Sequence, residues 1–290
     1  MGPGQGGIPV GGPVGATGGT VDRLFFAVTG DTRPDLNGST PGPYPSTVIK
    51  SIFSGMKDKG VQFAVDAGDH MFVVGNRRAS FDAARAQMGL YVDAAKLLGK
   101  TVFMTMGNHE CSGGDKNGLC SIDAVGSNAN YTAFMEALAP VSSLPYYRFD
   151  VQTQSGLAVF LIVADDVWDA HERTWLTTQL GDADRRAKYT FVVKHHPVDN
   201  HDDRAFAEIV SLVESHKYTL FITGHTHEYR HDRSNSRVLI VGCGGAPLDN
   251  APQSWWGYIT IEQGVDNLIY VTAYDQSSGM QKDSFKVAPQ

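Results

Sequence analysis

Positive charge, cysteine and long apolar runs are all scarce in this sequence. Its 290 residues hold 24 Lys and Arg against 31 Asp and Glu, a formal net charge of −7. A general nucleic-acid or anionic-membrane surface needs clustered basic side chains, so no nucleic-acid polymer is expected as a partner. Any phosphate must be met by local positive charge. No uninterrupted apolar stretch approaches the roughly 20 residues of a membrane helix, and no membrane span is expected. Bulky apolar side chains are almost missing before Val21, in a Gly- and Pro-rich segment that cannot repay the entropy of ordering. Residues 1–20 therefore read as a flexible leader and residues 21–290 as a single domain. Met1 is followed directly by Gly2-Pro3-Gly4 without a signal peptide. The leader is expected to be a tether left after export or a cloning remnant, and the residues do not separate the two.

Only three cysteines occur, and none lies in the polar motifs described below. Cys111 and Cys120 flank a short stretch, and a disulfide between them would contribute roughly 2–3 kcal/mol in the chain-entropy model. That would favour an oxidising compartment and a secreted, exported or cell-envelope protein. The alternative, two reduced loop thiols in a cytosolic enzyme, stays open. Cys243, in Gly242-Cys243-Gly244-Gly245, reads as a small packed residue rather than a ligand.

What the chain does have is alternation. Leu24 to Thr29, Val61 to Val65, Thr101 to Met106, Leu157 to Ala164, Tyr189 to Val193 and Leu220 to Thr223 are short, apolar and rich in β-branched or aromatic residues, as buried strands are. Helical patterns lie between them: Ser46, as a cap, to Lys59 with Gly60 as the stop, then about Ser80 to Leu98, Ala129 to Ala139, His171 to Asp184 and Asp202 to His216. After Arg237 the pattern changes to strands joined by turns, at Val238 to Val241, Tyr258 to Glu262 and Leu268 to Tyr274. The expected class is α/β (α+β), a mixed sandwich.

Polar residues collect where the strands stop. The motifs are Gly30-Asp31-Thr32-Arg33, Gly68-Asp69-His70, Gly107-Asn108-His109-Glu110, His195-His196-Pro197 and Gly224-His225-Thr226-His227. Loops at the carboxyl ends of neighbouring strands converge on one edge of an α/β sheet, which makes a single site of five distant motifs. Carboxylates and an amide oxygen suit harder cations and imidazoles suit borderline ones, so Zn, Mn or Fe would fit. A lone Gly-Asp is usually only a turn, and a lone His-His-Pro is ambiguous. Gly-Asn-His-Glu and Gly-His-Thr-His are sharper, and the ordered set of five is sharper still.

At these residues the sequence resembles the calcineurin-like metallophosphoesterase superfamily, which includes the purple acid phosphatases. The resemblance runs from about Leu24 to the strands after His227. It implies a two-sheet sandwich flanked by helices and a pair of divalent or trivalent metals. One would take Asp31, Asp69 and His227, the other Asp69, Asn108, His195 and His225, with Asp69 bridging. His195 is preferred to His196 because the family's ligand histidine stands two residues before proline and three after a valine, here Val192. His196 would then point outward or be structural. The resemblance also makes His109 the general acid or transition-state stabiliser, with Glu110 supporting the ligands from behind. Cations about 3.5–4 Å apart stabilise the charge of phosphoryl transfer and acidify bound water, so that metal-bound hydroxide attacks phosphorus near neutral pH. Proton donation by His109 would contribute typically about 10²–10⁴-fold.

Two positions depart from the family pattern. Arg33 stands where many members carry histidine, and Phe72 where purple acid phosphatases carry a tyrosine ligand. A guanidinium cannot coordinate a cation. Arg33 is therefore expected to bind the substrate phosphate or a second acidic group. Two alternatives stand beside that: a weakened first site completed by water, His70 or Asp66, or an ordinary surface salt bridge. His201 and Asp199 are further candidates to bind the substrate or to orient His195, with a solvated polar loop as the alternative. Gly242 to Pro247 and Trp255-Trp256 could wall the pocket, but paired tryptophans are more often core or interface than a ligand platform, and the loop Cys111 to Ser127 is better placed to shape specificity. The expected activity is hydrolysis of a small phosphomonoester. A phosphodiesterase acting on a nucleotide or lipid head group is the alternative within the class, and a metal- or phosphate-binding module without turnover is the alternative outside it.

Overall fold

The computed structural model describes residues 11–37, 40–73, 80–111, 121–199, 204–232, 234–249 and 254–289. Along the chain the strands are β1 (Gly11–Gly15), β2 (Gly18–Val21), β3 (Phe25–Thr29), β4 (Leu36–Asn37), β5 (Thr40–Pro41), β6 (Phe63–Asp66), β7 (Val102–Met104), β8 (Tyr147–Thr153), β9 (Gly156–Ile162), β10 (Ala187–Val193), β11 (Leu220–Thr223), β12 (Tyr229–His231), β13 (Val238–Val241), β14 (Gly257–Gln263), β15 (Ile269–Asp275) and β16 (Gln281–Val287). The helices are α1 (Ser46–Lys59), α2 (Phe81–Ala95), α3 (Asn108–Cys111), α4 (Ala129–Leu138), α5 (Ala170–Arg186) and α6 (Arg204–Glu214).

The strands form two mixed sheets, one in the order β1-β2-β8-β9-β10-β11-β13-β12 and one in the order β16-β15-β14-β3-β6-β7. β3, β6 and β7 run parallel in the smaller sheet, as do β9, β10, β11 and β13 in the larger. Parallel neighbours put their carboxyl ends on one edge, which is where the motifs stand. An aromatic stack joins the sheets. Phe26 and Phe63 of the smaller meet Phe149, Phe160 and Phe191 of the larger at centroid distances of 5.1–5.8 Å. Fully buried aromatics give the largest apolar burial per residue, and edge-to-face geometry adds to it. On the outer face of the larger sheet, Leu176 and Leu180 of α5 and Ile209 and Val213 of α6 cover Leu161, Val192 and Phe221. The mixed two-sheet sandwich flanked by helices is thus the fold.

Several expectations change in detail. Residues 11–20, read as part of a flexible leader, form β1 and β2, and β2 pairs in parallel with β8. Backbone hydrogen bonds to a neighbouring strand supply what the Gly-rich side chains cannot; residues 1–10 lie outside the described residues. Ser46 is the first residue of α1 rather than its cap, the preceding Pro45 offering no side-chain cap, while Gly60 does end the helix at φ 80°.

Candidate metal centre

Asp31 follows β3, Asp69 follows β6, Asn108 and His109 follow β7, His195 follows β10, and His225 and His227 follow β11. The smaller sheet thus presents the carboxylates and the amide, and the larger sheet the imidazoles. Among the described residues four non-glycine residues have positive φ, and Asp31 (57°), Asp69 (59°) and His225 (71°) are three of them. Such backbone costs on the order of 1–3 kcal/mol per residue and persists where surroundings over-determine it. Here the Asp31 amide donates to Gly68 O at 2.8 Å, the His225 amide to Asp31 Oδ2 at 2.8 Å and the Asp69 amide to Glu110 Oε2 at 3.0 Å. The turns leave no room for side chains: a Cβ on Gly107 would lie 2.4 Å from Asp69 Oδ1.

Four donor atoms converge between the sheets. His195 Nε2 lies 3.1 Å from Asn108 Oδ1, 3.3 Å from Asp69 Oδ1 and 3.3 Å from His225 Nδ1, which is itself 3.1 Å from Asn108 Oδ1. A tetrahedral ion with ligands at about 2.0–2.1 Å holds them about 3.3–3.4 Å apart, so these separations fit a metal. His195 Nδ1 lies 2.8 Å from Ala67 O, an acceptor only, so that nitrogen carries a proton. Against the effect of burial, Asp69 favours a proton on Nε2 as well, and a bound metal would take that proton's place on Nε2. Burial raises Asp69, but His195, His109 and Arg33 outweigh it and hold the carboxyl well below the usual range. Burial and the neighbouring His195 push His225 down to about 3.

The other expected set is arranged differently. His227 Nε2 is 3.6 Å from Asp31 Oδ1, an oxygen without a hydrogen-bond partner among the described residues. His227 is oriented by the loop after β13: its Nδ1 donates to Pro247 O at 2.6 Å, and its amide to Asp249 Oδ2 at 3.0 Å. Arg33 enters between the donors, with NH2 at 3.0 Å from His227 Nε2, Nε at 3.3 Å from Asp69 Oδ2 and NH1 donating to Pro34 O at 3.1 Å. Its side chain is 12% exposed. That corrects the surface-salt-bridge alternative, because these bonds lie inside the site. Phe72 is aromatic walling, with its ring centroid 5.1 Å from the guanidinium and 4.1 Å from the His109 ring. Burial pushes His109 down to about 4, and burial followed by Arg33 lowers His227.

His70 and Asp66, considered as substitute ligands, instead face each other behind Asp69. His70 Nε2 is 3.2 Å from Asp66 Oδ1 and its Nδ1 3.5 Å from Glu110 Oε1, all buried. His196 does not point outward. It is buried, stacked on Phe206 at 4.1 Å and 4.3 Å from the His225 ring. Its amide donates to Asp165 Oδ2 at 3.0 Å, and Lys194 Nζ sits 3.0 Å from the same oxygen. Among the described residues two groups of His and carboxylate side chains bring ligand-type atoms within 4.8 Å of one another: Asp31, Asp69 and His195, and Asp165, Asp166 and His196. With Lys194 already neutralising Asp165, the second group braces the turn carrying His195. Asp165 follows β9 at the same sandwich edge as the five motifs, a position that marked it in the sequence but went unread.

Asp199 bonds Arg230 at 2.7 Å rather than His195, and His201 lies outside the described residues. Trp256 Nε1 donates to Ala246 O at 2.8 Å and so pins the loop that orients His227. Cys111 is disulfide-bonded and Cys243 is free and buried. Cys120 and most of the loop from Cys111 to Ser127 lie outside the described residues.

The profile of the calcineurin-like phosphoesterases matches residues 26–229. No curated protein sequence matches the chain. Among solved structures, GAP50, the anchor in the inner membrane complex of Plasmodium, superposes with a TM-score of 0.65 at 17% identity, over 93% of this chain and 90% of that one. A purple acid phosphatase from yellow lupin (Lupinus luteus) seeds gives 0.63 at 13% identity, over 92% of this chain and 54% of that one. A dimetal phosphatase from Danio rerio gives 0.60 at 14% identity, over 92% and 99%. At such identities the likeness is one of fold.

Proposed function

The chain belongs to the calcineurin-like phosphoesterase family, and on that premise we propose that this metallophosphoesterase hydrolyses small phosphomonoesters. The observation carrying the proposal is the convergence of Asn108 Oδ1, His195 Nε2 and His225 Nδ1 at mutual separations of 3.1–3.3 Å, with Asp69 Oδ1 3.3 Å from His195 Nε2. These four would hold Zn, Mn or Fe. When bound, such a cation acidifies water and stabilises charge on phosphoryl oxygens.

The remaining roles belong to protein side chains. Of the five N–H donors of a guanidinium, Arg33 spends three on Asp69, His227 and Pro34; the two left can bind a phosphoryl oxygen with charge assistance. A monoester presents a second ionised oxygen for them, which a diester lacks. His109, whose Nε2 is 3.7 Å from Asp69 Oδ2, would deliver a proton to the leaving oxygen. A phosphate dianion beside its imidazole favours the protonated form and counters the effect of burial. The Cys111 disulfide supports an exported or cell-envelope location; recovery of the chain from the cytosol alone would speak against that.

Aryl mono- and diesters compared under added Mn or Zn test the ester class. The monoester kcat/KM is expected to exceed the diester value by at least about tenfold, the equivalent of one charge-assisted hydrogen bond. Equal values, or diester preference, would remove the monoester assignment.

A further inference from the structure

Resting on that reading, we infer that the Arg33 guanidinium is a built-in cation at the first metal position, so that the centre binds one metal ion rather than a pair. By the family pattern that position would take Asp31, Asp69 and His227, and His227 Nε2 lies 3.6 Å from Asp31 Oδ1. Arg33 already bonds two of them, at 3.3 Å to Asp69 Oδ2 and 3.0 Å to His227 Nε2. The His227 tautomer makes this a true donation. Its Nδ1 proton is committed to Pro247 O at 2.6 Å, so Nε2 offers the lone pair that a metal would otherwise take. Asp31 Oδ1 alone is left over, its carboxylate partner Oδ2 accepting the His225 amide at 2.8 Å. One unbonded oxygen is too few donors for a closed site on these three residues; the other partners that Asp31 meets, Asp69 and His195, whose ligand atoms lie within 4.8 Å of it and of each other, belong to the four-donor set of the second position.

Arg33 is held in this pose rather than passing through it. Its NH1 is tied to Pro34 O at 3.1 Å, and the Phe72 ring lies 5.1 Å beneath the guanidinium, where a tyrosine ligand would compete for the same space. Arg33 and Phe72 are therefore one packed pair. The first removes a ligand and supplies a charge; the second removes a ligand and supplies a face on which that charge rests. None of the four donors around His195 and His225 is bonded to Arg33 through the atom facing the centre, because Arg33 uses Asp69 Oδ2 while Oδ1 faces His195. The second position stays open to a metal while the first is filled.

Metal stoichiometry on the full-length protein, dialysed against Mn and analysed by elemental mass spectrometry and electron paramagnetic resonance, tests the inference without recourse to activity. The wild type is expected to hold one equivalent with the spectrum of an isolated Mn ion. Arg33→His, which restores the missing ligand, is expected to hold two with an exchange-coupled spectrum. Circular dichroism checks that the variants fold, and Arg33→Ala serves in place of Arg33→His should the latter not. His225→Ala should lose the wild-type equivalent and Asp31→Asn should keep it. Two tight equivalents in the wild type, one in every folded Arg33 variant, or loss of the ion in Asp31→Asn with retention in His225→Ala would overturn the inference. Zero equivalents in wild type and variants alike would overturn instead the four-donor reading on which it rests.

Discussion

His109 is the residue whose chemistry and scaffolding separate most cleanly. Its backbone is part of the frame: the amide donates to Asp69 Oδ1 at 3.0 Å, and its carbonyl accepts Asn130 Nδ2 at 3.1 Å. Its side chain packs on Phe72 at a ring-centroid distance of 4.1 Å, with Nε2 3.7 Å from Asp69 Oδ2. Truncation therefore removes the proton donor and leaves the donor atoms of Asp69, Asn108, His195 and His225 in place. His109→Ala is expected to lower kcat by about 10²–10⁴-fold, the usual contribution of a positioned acid, with metal content unchanged. Single-turnover kinetics and elemental analysis on the same preparation check this. An unchanged kcat would remove His109 from the chemistry, and lost metal would make it a support for the ligands.

At the scale of elements, the short helix α3 acts through Glu110. Its buried carboxylate accepts the amides of Asp69 at 3.0 Å, His70 at 2.8 Å, Met71 at 3.3 Å and Gly107 at 2.8 Å, and so closes the turns after β6 and β7 against each other. Each buried amide left without an acceptor costs about 1–3 kcal/mol. Glu110→Ala should then destabilise by on the order of 3–5 kcal/mol, the range for breaking a buried charged network, read as a lower urea midpoint at unchanged m-value. A shift below about 1 kcal/mol would mean that water satisfies these amides.

The same scale shows what the sequence made legible. β3, β6, β7, β10 and β11 are largely buried apolar runs, and the motifs at their ends were readable because strand and motif punctuate each other. β1 and β2 were not, since glycines carry no side-chain pattern and their order comes from pairing with β8. β16 alternates between exposed Lys282, Ser284 and Lys286 and the more buried Asp283, Phe285 and Val287, but with Asp283 on the inner face the sequence carries only Phe285 and Val287 as an apolar signal. β8 was legible and missed: Tyr147, Phe149 and Val151 are buried and alternate with Arg148, Asp150 and Gln152. Within the site, the ligand types followed from motifs, whereas Ala67 O, Pro247 O and Glu110 Oε act through backbone geometry that no residue pattern encodes. Arg33 lies between these cases. Its charge was readable, but its bonds to Asp69 and His227 depend on two strands meeting from opposite sheets.

For the whole molecule, that meeting of sheets would make metal binding at the proposed centre and folding one equilibrium. Asp69 and Asn108 come from the smaller sheet and His195 and His225 from the larger, so an ion held by all four ties the sandwich together at its edge. The aromatic stack from Phe26 to Phe191 does the same within the core, but it needs no cofactor. An unfolded chain scatters the four donors, so metal binds the native state preferentially and stabilises it by about 4 kcal/mol at a thousandfold excess over Kd. For a domain of this size about 1 kcal/mol moves Tm by about 2–4 °C. Removing metal with a chelator should therefore lower Tm by about 5–15 °C, and adding Zn or Mn back should restore it. His225→Ala, with the aromatic core intact, should melt at the chelated wild-type temperature and show no response to either treatment. Equal melting temperatures for the chelated and metal-loaded wild type would mean that the sandwich edge closes without an ion.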